Sequence, residues 1–162
     1  MTDERIYIDS IDLKILTLLI RNARTPFLEI ARECGISGAA VHQRVRKLEE
    51  SNVIIGSRTI VRPRSLGLDI CAFVNIKLSQ PNVGSDTIEE LKKMPEVVEC
   101  HFIAGPYSLL LKVFCHNNEH LMDVLVNQIP HIPGVSDTST FISLEQVISR
   151  EPHLKMSIKK RQ

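Results

Sequence analysis

Between residues 9 and 50 the apolar positions recur with a helical period. Ile11, Ile15, Leu18 and Leu19 fall at i, i+4, i+7 and i+8, which lays them along one face of a helix. Leu13, Leu16 and Ile20 add a second stripe, so this helix is expected to be covered on more than one side. Asp9 and Asp12 stand at its start, where free amides and the helix dipole favour acidic groups. Thr25-Pro26 marks a second start, with Thr25 able to cap and Pro26 suited to the first helical position. Ile30, Ala31 and Cys34 then face inward until Gly35 ends that helix. Ser37 is placed to cap a third helix over about residues 38–51, whose inward residues are Val41, Val45 and Leu48.

From residue 57 the rhythm changes. Residues 57–63 read as a strand leading out of the helical unit, and Pro63 and Gly67 mark a hinge. Ile70, Ala72, Val74, Ile76 and Leu78 alternate with Cys71, Phe73, Asn75 and Lys77, the period of a strand with one apolar face. Helical spacing follows over 85–94, with Ile88 and Leu91 inward and Glu89 placed to pair with Lys93 at i,i+4. Residues 97–104 and 109–115 predict two strands joined by a tight turn at Gly105-Pro106-Tyr107-Ser108. Leu121, Leu125 and Ile129, with Met122 and Val126, predict another helix, stopped by Pro130 and Pro133-Gly134 before a last strand over 135–148. The order β-α-β-β-α-β is that of a ferredoxin-like α+β domain, one sheet with two helices on one side. Its other face would expose Phe73 and Phe114, so the sheets of two subunits are expected to pack together. The chain thus divides into a helical domain at 1–60, a hinge strand or linker at 61–69, the ferredoxin-like domain at 70–150 and a basic tail at 151–162.

Composition fits this reading. With 162 residues, 43% hydrophobic and 24% charged, the chain is expected to fold as small globular domains rather than as a disordered, collagen-like or coiled-coil chain. No apolar run approaches the roughly 20 residues that cross a bilayer. The opening Met-Thr-Asp-Glu lacks the features of a secretory signal, so a cytoplasmic location is expected. Cys34, Cys71, Cys100 and Cys115 form no Cys-x-x-Cys pair and are expected as buried reduced thiols. The net charge of +1 hides an asymmetry: residues 1–64 sum to +3 and residues 65–162 to −2. Any polyanion contact is therefore assigned to the front.

There, two short helices joined by a Gly-containing turn, after a supporting helix, make a helix-turn-helix candidate. Ala31 is small where the helices cross, Gly35 supplies the turn and Val41 plugs the angle. The exposed face of the third helix presents Ala39, Ala40, His42, Gln43, Arg44, Arg46 and Lys47, with no acid before Glu49 and Glu50. Such a helix reads base edges in the major groove. Gln43 and Arg46 suit adenine or guanine edges, Ala39 or Ala40 a thymine methyl, and Arg44 and Lys47 the phosphates. Ser37 and Arg58 complete the candidate double-stranded DNA contacts, with Arg62 and Arg64 as further backbone candidates.

One motif competes. His116-Asn-Asn-Glu-His120 spells the inverted zinc-peptidase pattern, with two histidines one helical turn apart. His116 is expected to end a strand just before a helix begins, so the pair need not share a helical face, and no third ligand is readable. No metal, cofactor or catalytic residue is assigned, and no Gly-rich phosphate loop is present.

The chain strongly resembles the Lrp/AsnC, or feast/famine, transcription regulators. The resemblance rests on Ile8-Asp-Ser-Ile-Asp-Leu-Lys-Ile-Leu16, Ile30-Ala-Arg-Glu-Cys-Gly-Ile-Ser37, Val41-His-Gln-Arg-Val-Arg-Lys-Leu-Glu49 and Asn52-Val-Ile-Ile-Gly56. In the back half it rests on Val97-Val-Glu-Cys-His-Phe-Ile-Ala-Gly105 and Ile132-Pro-Gly-Val-Ser-Asp-Thr-Ser-Thr140. It spans about residues 7–150. It implies a winged or extended helix-turn-helix, a regulatory domain for assembly and amino-acid sensing, dimers, and commonly octamers of four dimers on the nucleoid. In that family the loop before the third strand usually reads Gly-x-aromatic-Asp, whose carboxylate can meet an effector's ammonium group. Here it reads Gly105-Pro106-Tyr107-Ser108, and a hydroxyl replaces the acid. The resemblance therefore leaves two readings, no amino-acid effector or a changed one, with Thr138 and Thr140 as polar contributors from the last strand. For the whole chain the expectation is a sequence-specific DNA-binding regulator. The alternatives are a low-specificity architectural protein, or a ligand-sensing and assembly module with DNA binding secondary.

Overall fold

Asp9 starts the first helix by closing a reciprocal pair of bonds. Its carboxylate accepts from the Asp12 N–H at 2.8 Å while the Asp12 carboxylate accepts from the Asp9 N–H at 3.2 Å, so two free amides of the first turn are satisfied at once. This helix is α1, Ser10–Arg21. The computed structural model describes residues 7–80, 84–151 and 154. These fall into two compact units, one drawn from Met1–Ile60 and Ser149–Gln162, the other from Val61–Ile148. Of the basic tail expected at 151–162, all but residues 151 and 154 lies outside the described residues.

In the first unit α2 is Phe27–Cys34 and α3 is Gly38–Glu50. Thr25 does not cap α2. Its hydroxyl donates back to the Asn22 carbonyl at 2.7 Å, and Pro26 takes the cap position, its carbonyl accepting from Glu29 and Ile30. Ile15, Ile30, Ala31, Val41 and Val45 form the buried centre, flanked by Leu18, Phe27, Ile36 and Ile54. The Lys14 ammonium donates to the Glu33 carbonyl and ties α1 to the end of α2. Residues 57–62 are not a strand. They are irregular and exposed, and Pro63 then opens a short 3-10 turn, Pro63–Leu66.

The second unit contains β1 (Ile70–Leu78), α4 (Gly84–Lys93), β2 (Val97–Phe102), β3 (Leu109–Cys115), α5 (Asn118–Asp123) and β4 (Val135–Ser143). The strands form one antiparallel sheet in the order β2-β3-β1-β4. Ala72, Val74 and Ile76 of β1 share a buried face with Leu109, Leu111, Val113 and Cys115 of β3, and Leu91, Leu121, Val124 and Ile129 pack on it. α4 is fixed by Thr87, buried, whose hydroxyl donates to the Pro133 carbonyl at 2.7 Å. Its surface pairs are Glu89–Lys92 and Glu90–Lys93, at i,i+3 rather than the expected i,i+4. β4 stops at Ser143 instead of running to 148 because Ser143 already faces Cys71, one residue from the start of β1, and no partner backbone remains there. The helix expected around 121–129 changes pitch: α5 gives way to a π-helical turn at Val124–Gln128 and a 3-10 turn at Ile129–His131. The four cysteines are free, but only Cys115 is fully buried, and Cys100 on the edge strand β2 is exposed.

Candidate nucleic-acid interface

The turn between α2 and α3 is built from backbone chemistry. Gly35 adopts the left-handed conformation (φ 68°), and the Ile36 N–H reaches the Ala31 carbonyl at 3.1 Å, closing the end of α2. Ser37 then caps α3, its hydroxyl oxygen accepting from the Ala40 N–H at 3.2 Å. With Val41, Val45 and Leu48 buried, the opposite side of α3 is presented outward. Ala39, His42, Gln43, Arg46 and Lys47 are exposed, and Ala40 is half-buried. The His42 ring stands edge-on to Phe27 at 4.4 Å, which holds it on the α2 side of a shallow depression lined also by Gln43 and Arg46. Arg46 pairs with Glu50 at 2.8 Å, yet its side chain is 80% exposed. Such a surface pair contributes about 0.3–0.5 kcal/mol and yields readily to a better acceptor.

Arg44 does not lie free on this surface as a phosphate ligand. One guanidinium nitrogen donates to Asp9 and Asp12, each at 2.7 Å, and the side chain is 30% exposed. The Asp12 backbone N–H is the main cause that holds the Asp9 carboxyl below its usual range, with Arg44 adding to it. The two acids are visible in the sequence as helix-start residues. Their partner 32 and 35 positions away is not, because no local period joins α1 to α3. Arg58 is exposed in the irregular segment, with Glu151 at 4.0 Å.

The residues expected to meet an effector lie at one end of the sheet. The Ser108 N–H donates to the Ile76 carbonyl at 2.8 Å, and the Ser108 hydroxyl oxygen accepts from the Leu78 N–H at 3.4 Å. Thr138 faces Ile76 from β4 and Leu109 faces it from β3, so Ser108, just before Leu109, and Thr138 lie at the same end of β1 on its two sides. Thr140 faces Val74, one register step deeper. Gly105 and Pro106 form the exposed tip, and Tyr107 is half-buried.

The two histidines of the His-x-x-Glu-His sequence stack on each other, centroids 5.4 Å apart. His116 Nδ1 lies 2.8 Å from the Gly67 carbonyl, and His120 Nε2 lies 3.1 Å from Glu96. Both contacts are internal links, and among the described residues no group of three or more His, Cys, Asp or Glu is arranged to hold a metal ion.

Residues 8–49 match the AsnC-type helix-turn-helix domain and residues 71–152 match the Lrp/AsnC ligand binding domain. The regulatory protein AsnC of Haemophilus influenzae is 39% identical over 144 residues, covering 89% of this chain and 96% of that protein. The chain belongs to the Lrp/AsnC family. The structure of Escherichia coli AsnC superposes with a TM-score of 0.85 at 35% identity, covering 91% of this chain and 99% of that one. A feast or famine regulatory protein from Mycobacterium tuberculosis, solved in complex with L-methionine, gives a TM-score of 0.85 at 30% identity, covering 92% and 100%. As an Lrp/AsnC protein the chain is a transcriptional regulator, not an enzyme, with a DNA-binding helix-turn-helix and a ferredoxin-like regulatory domain. Among the described residues no helix is long and apolar enough to cross a membrane.

Proposed function

We propose that this regulator binds double-stranded DNA sequence-specifically through α3, with Gln43 and Arg46 on base edges, Ala39 and Ala40 against thymine methyls, and Lys47 and Arg58 on phosphates. His42 and Ser37, the cap of α3, border the same surface. The observation that carries the reading is an outward face of α3 without an acid from Ala39 to Lys47, mounted on a tightly closed turn. The working form is a dimer joined through the open sheet face and further assembled to an octamer, acting on the nucleoid in the cytoplasm. Assembly matters because one such module binds weakly and linked modules raise the effective concentration of the next contact. Nuclease protection on the DNA upstream of its own gene tests this. Discrete protected sites are expected; uniform protection would favour an architectural role, and none would leave the sensing and assembly role.

The regulatory half supports an effector site at Gly105, Pro106, Tyr107, Ser108, Thr138 and Thr140. The complex of the Mycobacterium tuberculosis relative with L-methionine supports an amino acid as the ligand class. Ser108 offers only a neutral hydroxyl, one lone pair of which already serves Leu78. A neutral hydrogen bond is roughly half as strong as a charge-assisted one. Free α-amino acids are therefore expected to bind weakly or to give way to a ligand without need of an ammonium partner. Calorimetric titration with L-methionine checks this, and micromolar binding would overturn it.

A further inference from the structure

We propose that Arg44, Asp9 and Asp12 form a clamp that sets the position of α3 against α1, so that DNA binding depends on Arg44 through placement and not through a phosphate contact. The inference rests on the reading of α3 as the DNA-reading helix. All four carboxylate oxygens of the two acids have a donor. Asp9 accepts from the Asp12 N–H and from Arg44, and Asp12 accepts from the Asp9 N–H and from Arg44. The guanidinium thus closes the cap of α1 from the side of α3. Asp12 is the more deeply placed acid, its side chain only 10% exposed, and it is anchored one turn before the core residues Ile15 and Leu16. Arg44 itself is followed directly by Val45, which packs in the same core as Ile15. Rotation or sliding of α3 along α1 would break two charge-assisted bonds at once.

The charges argue the same way. Two carboxylates and one guanidinium leave the clamp with a net negative charge, so a phosphate approaching Arg44 meets two acids at hydrogen-bonding distance from it. Arg44 therefore cannot serve DNA as Lys47 does, whose side chain is exposed and forms no ion pair among the described residues. The neighbouring positions Gln43 and Arg46 face outward, so their approach to base edges is fixed by a helix whose placement the clamp holds. Base readout demands tight placement of its side chains, which a locked supporting contact provides.

The test is DNA binding by the full chain across a salt series, using the DNA upstream of its own gene, with thermal unfolding of each variant. Lys47→Ala is expected to flatten the dependence of log affinity on log salt by about one. Arg44→Ala is expected to weaken binding roughly tenfold or more at every salt concentration with the slope unchanged, as loss of charged hydrogen bonds in the scaffold implies. Asp12→Asn gives the sharper reading because its sign is opposite in the two accounts. Removing an acid near DNA should tighten binding by simple electrostatics, whereas releasing the clamp should weaken it. Asp12→Asn that tightens binding, or Arg44→Ala that flattens the slope as Lys47→Ala does, overturns the clamp alone. Failure of the wild-type chain to bind this DNA overturns the reading of α3 on which the clamp's role depends.

Discussion

Asp9 shows how one side chain joins local and tertiary structure. Its carboxyl is held below the ordinary value of 3.8, first by the Asp12 N–H and then by Arg44. A carboxyl with a lowered folded value stabilises the fold fully above its unfolded value, and that contribution is lost as pH falls through the folded value. The helical domain is therefore expected to lose stability on acidification below about pH 3.8, with little change from this group at neutral pH. Asn caps helices as well as Asp does. Asp9→Asn should thus keep α1 while lowering stability at pH 7 and flattening the acid limb, read by chemical denaturation across pH. Gly35 supplies the complementary case. A methyl there would meet nothing within 4 Å, but its φ of 68° is left-handed. Gly35→Ala should then cost about 1–2 kcal/mol from the backbone alone, and Gly35→Asn less, measured by thermal unfolding. The capping residues Asp9 and Ser37 and the turn residue Gly35 were legible in the sequence because their chemistry is local. Thr25 was misread because its hydroxyl found an acceptor behind it, in Asn22, before any amide ahead.

Helix phase carries the same lesson over longer spans. Residues 121–129 contain apolar positions enough for several faces, and an unbroken α-helical period selects Leu121, Leu125 and Ile129. The structure buries Leu121, Val124 and Ile129 instead, with Leu125 only partly covered. The Ile129 N–H reaches the Val124 carbonyl, five residues back, so the π turn adds a residue and brings Val124 and Ile129 onto one side. Such a turn has no sequence period of its own and is chosen by what the sheet can cover. Val124→Ala is expected to cost about 2 kcal/mol, near 0.8 per methylene-equivalent lost from a packed site. Val126→Ala, at an exposed position, should change stability by less than about 0.5 kcal/mol. Equal effects in denaturant unfolding would put Val126 on the covered face, as the expected helix with Met122 and Val126 inward requires. By contrast β1, whose strict alternation admits one register, was readable to its ends at residues 70 and 78. The segment 57–62 has strand-like residues but no neighbouring strand to satisfy its backbone, and composition alone does not show that.

The sheet has one covered face and one open one, and the open one is apolar where it matters. Phe73 stands opposite Phe141 on β4 and Lys112 on β3, and Lys112 lies over the Phe114 ring at 5.8 Å. Phe141 is 63% exposed, while Ala72 and Val74, the chain neighbours of Phe73, are fully buried on the other side. The two faces are thus energetically separate, because neighbouring residues of a strand point to opposite sides. A carboxylate placed at Phe73 leaves the helix-covered core intact, yet it would have to give up its water if two sheets pack face to face, beside a Lys112 that already pairs with Glu99 at 3.1 Å. Two such sheets would meet at about 10 Å, close enough to exclude water from the phenylalanine cluster. Phe73→Glu is therefore expected to convert the assembly to monomers by light scattering while circular dichroism stays that of the folded chain. DNA affinity should fall with it, since separated helix-turn-helix units lose the gain from simultaneous half-site contact. A folded Phe73→Glu protein that remains a dimer would place the subunit contact elsewhere. A monomer that binds DNA as tightly as the wild type would show that the helix-turn-helix acts alone.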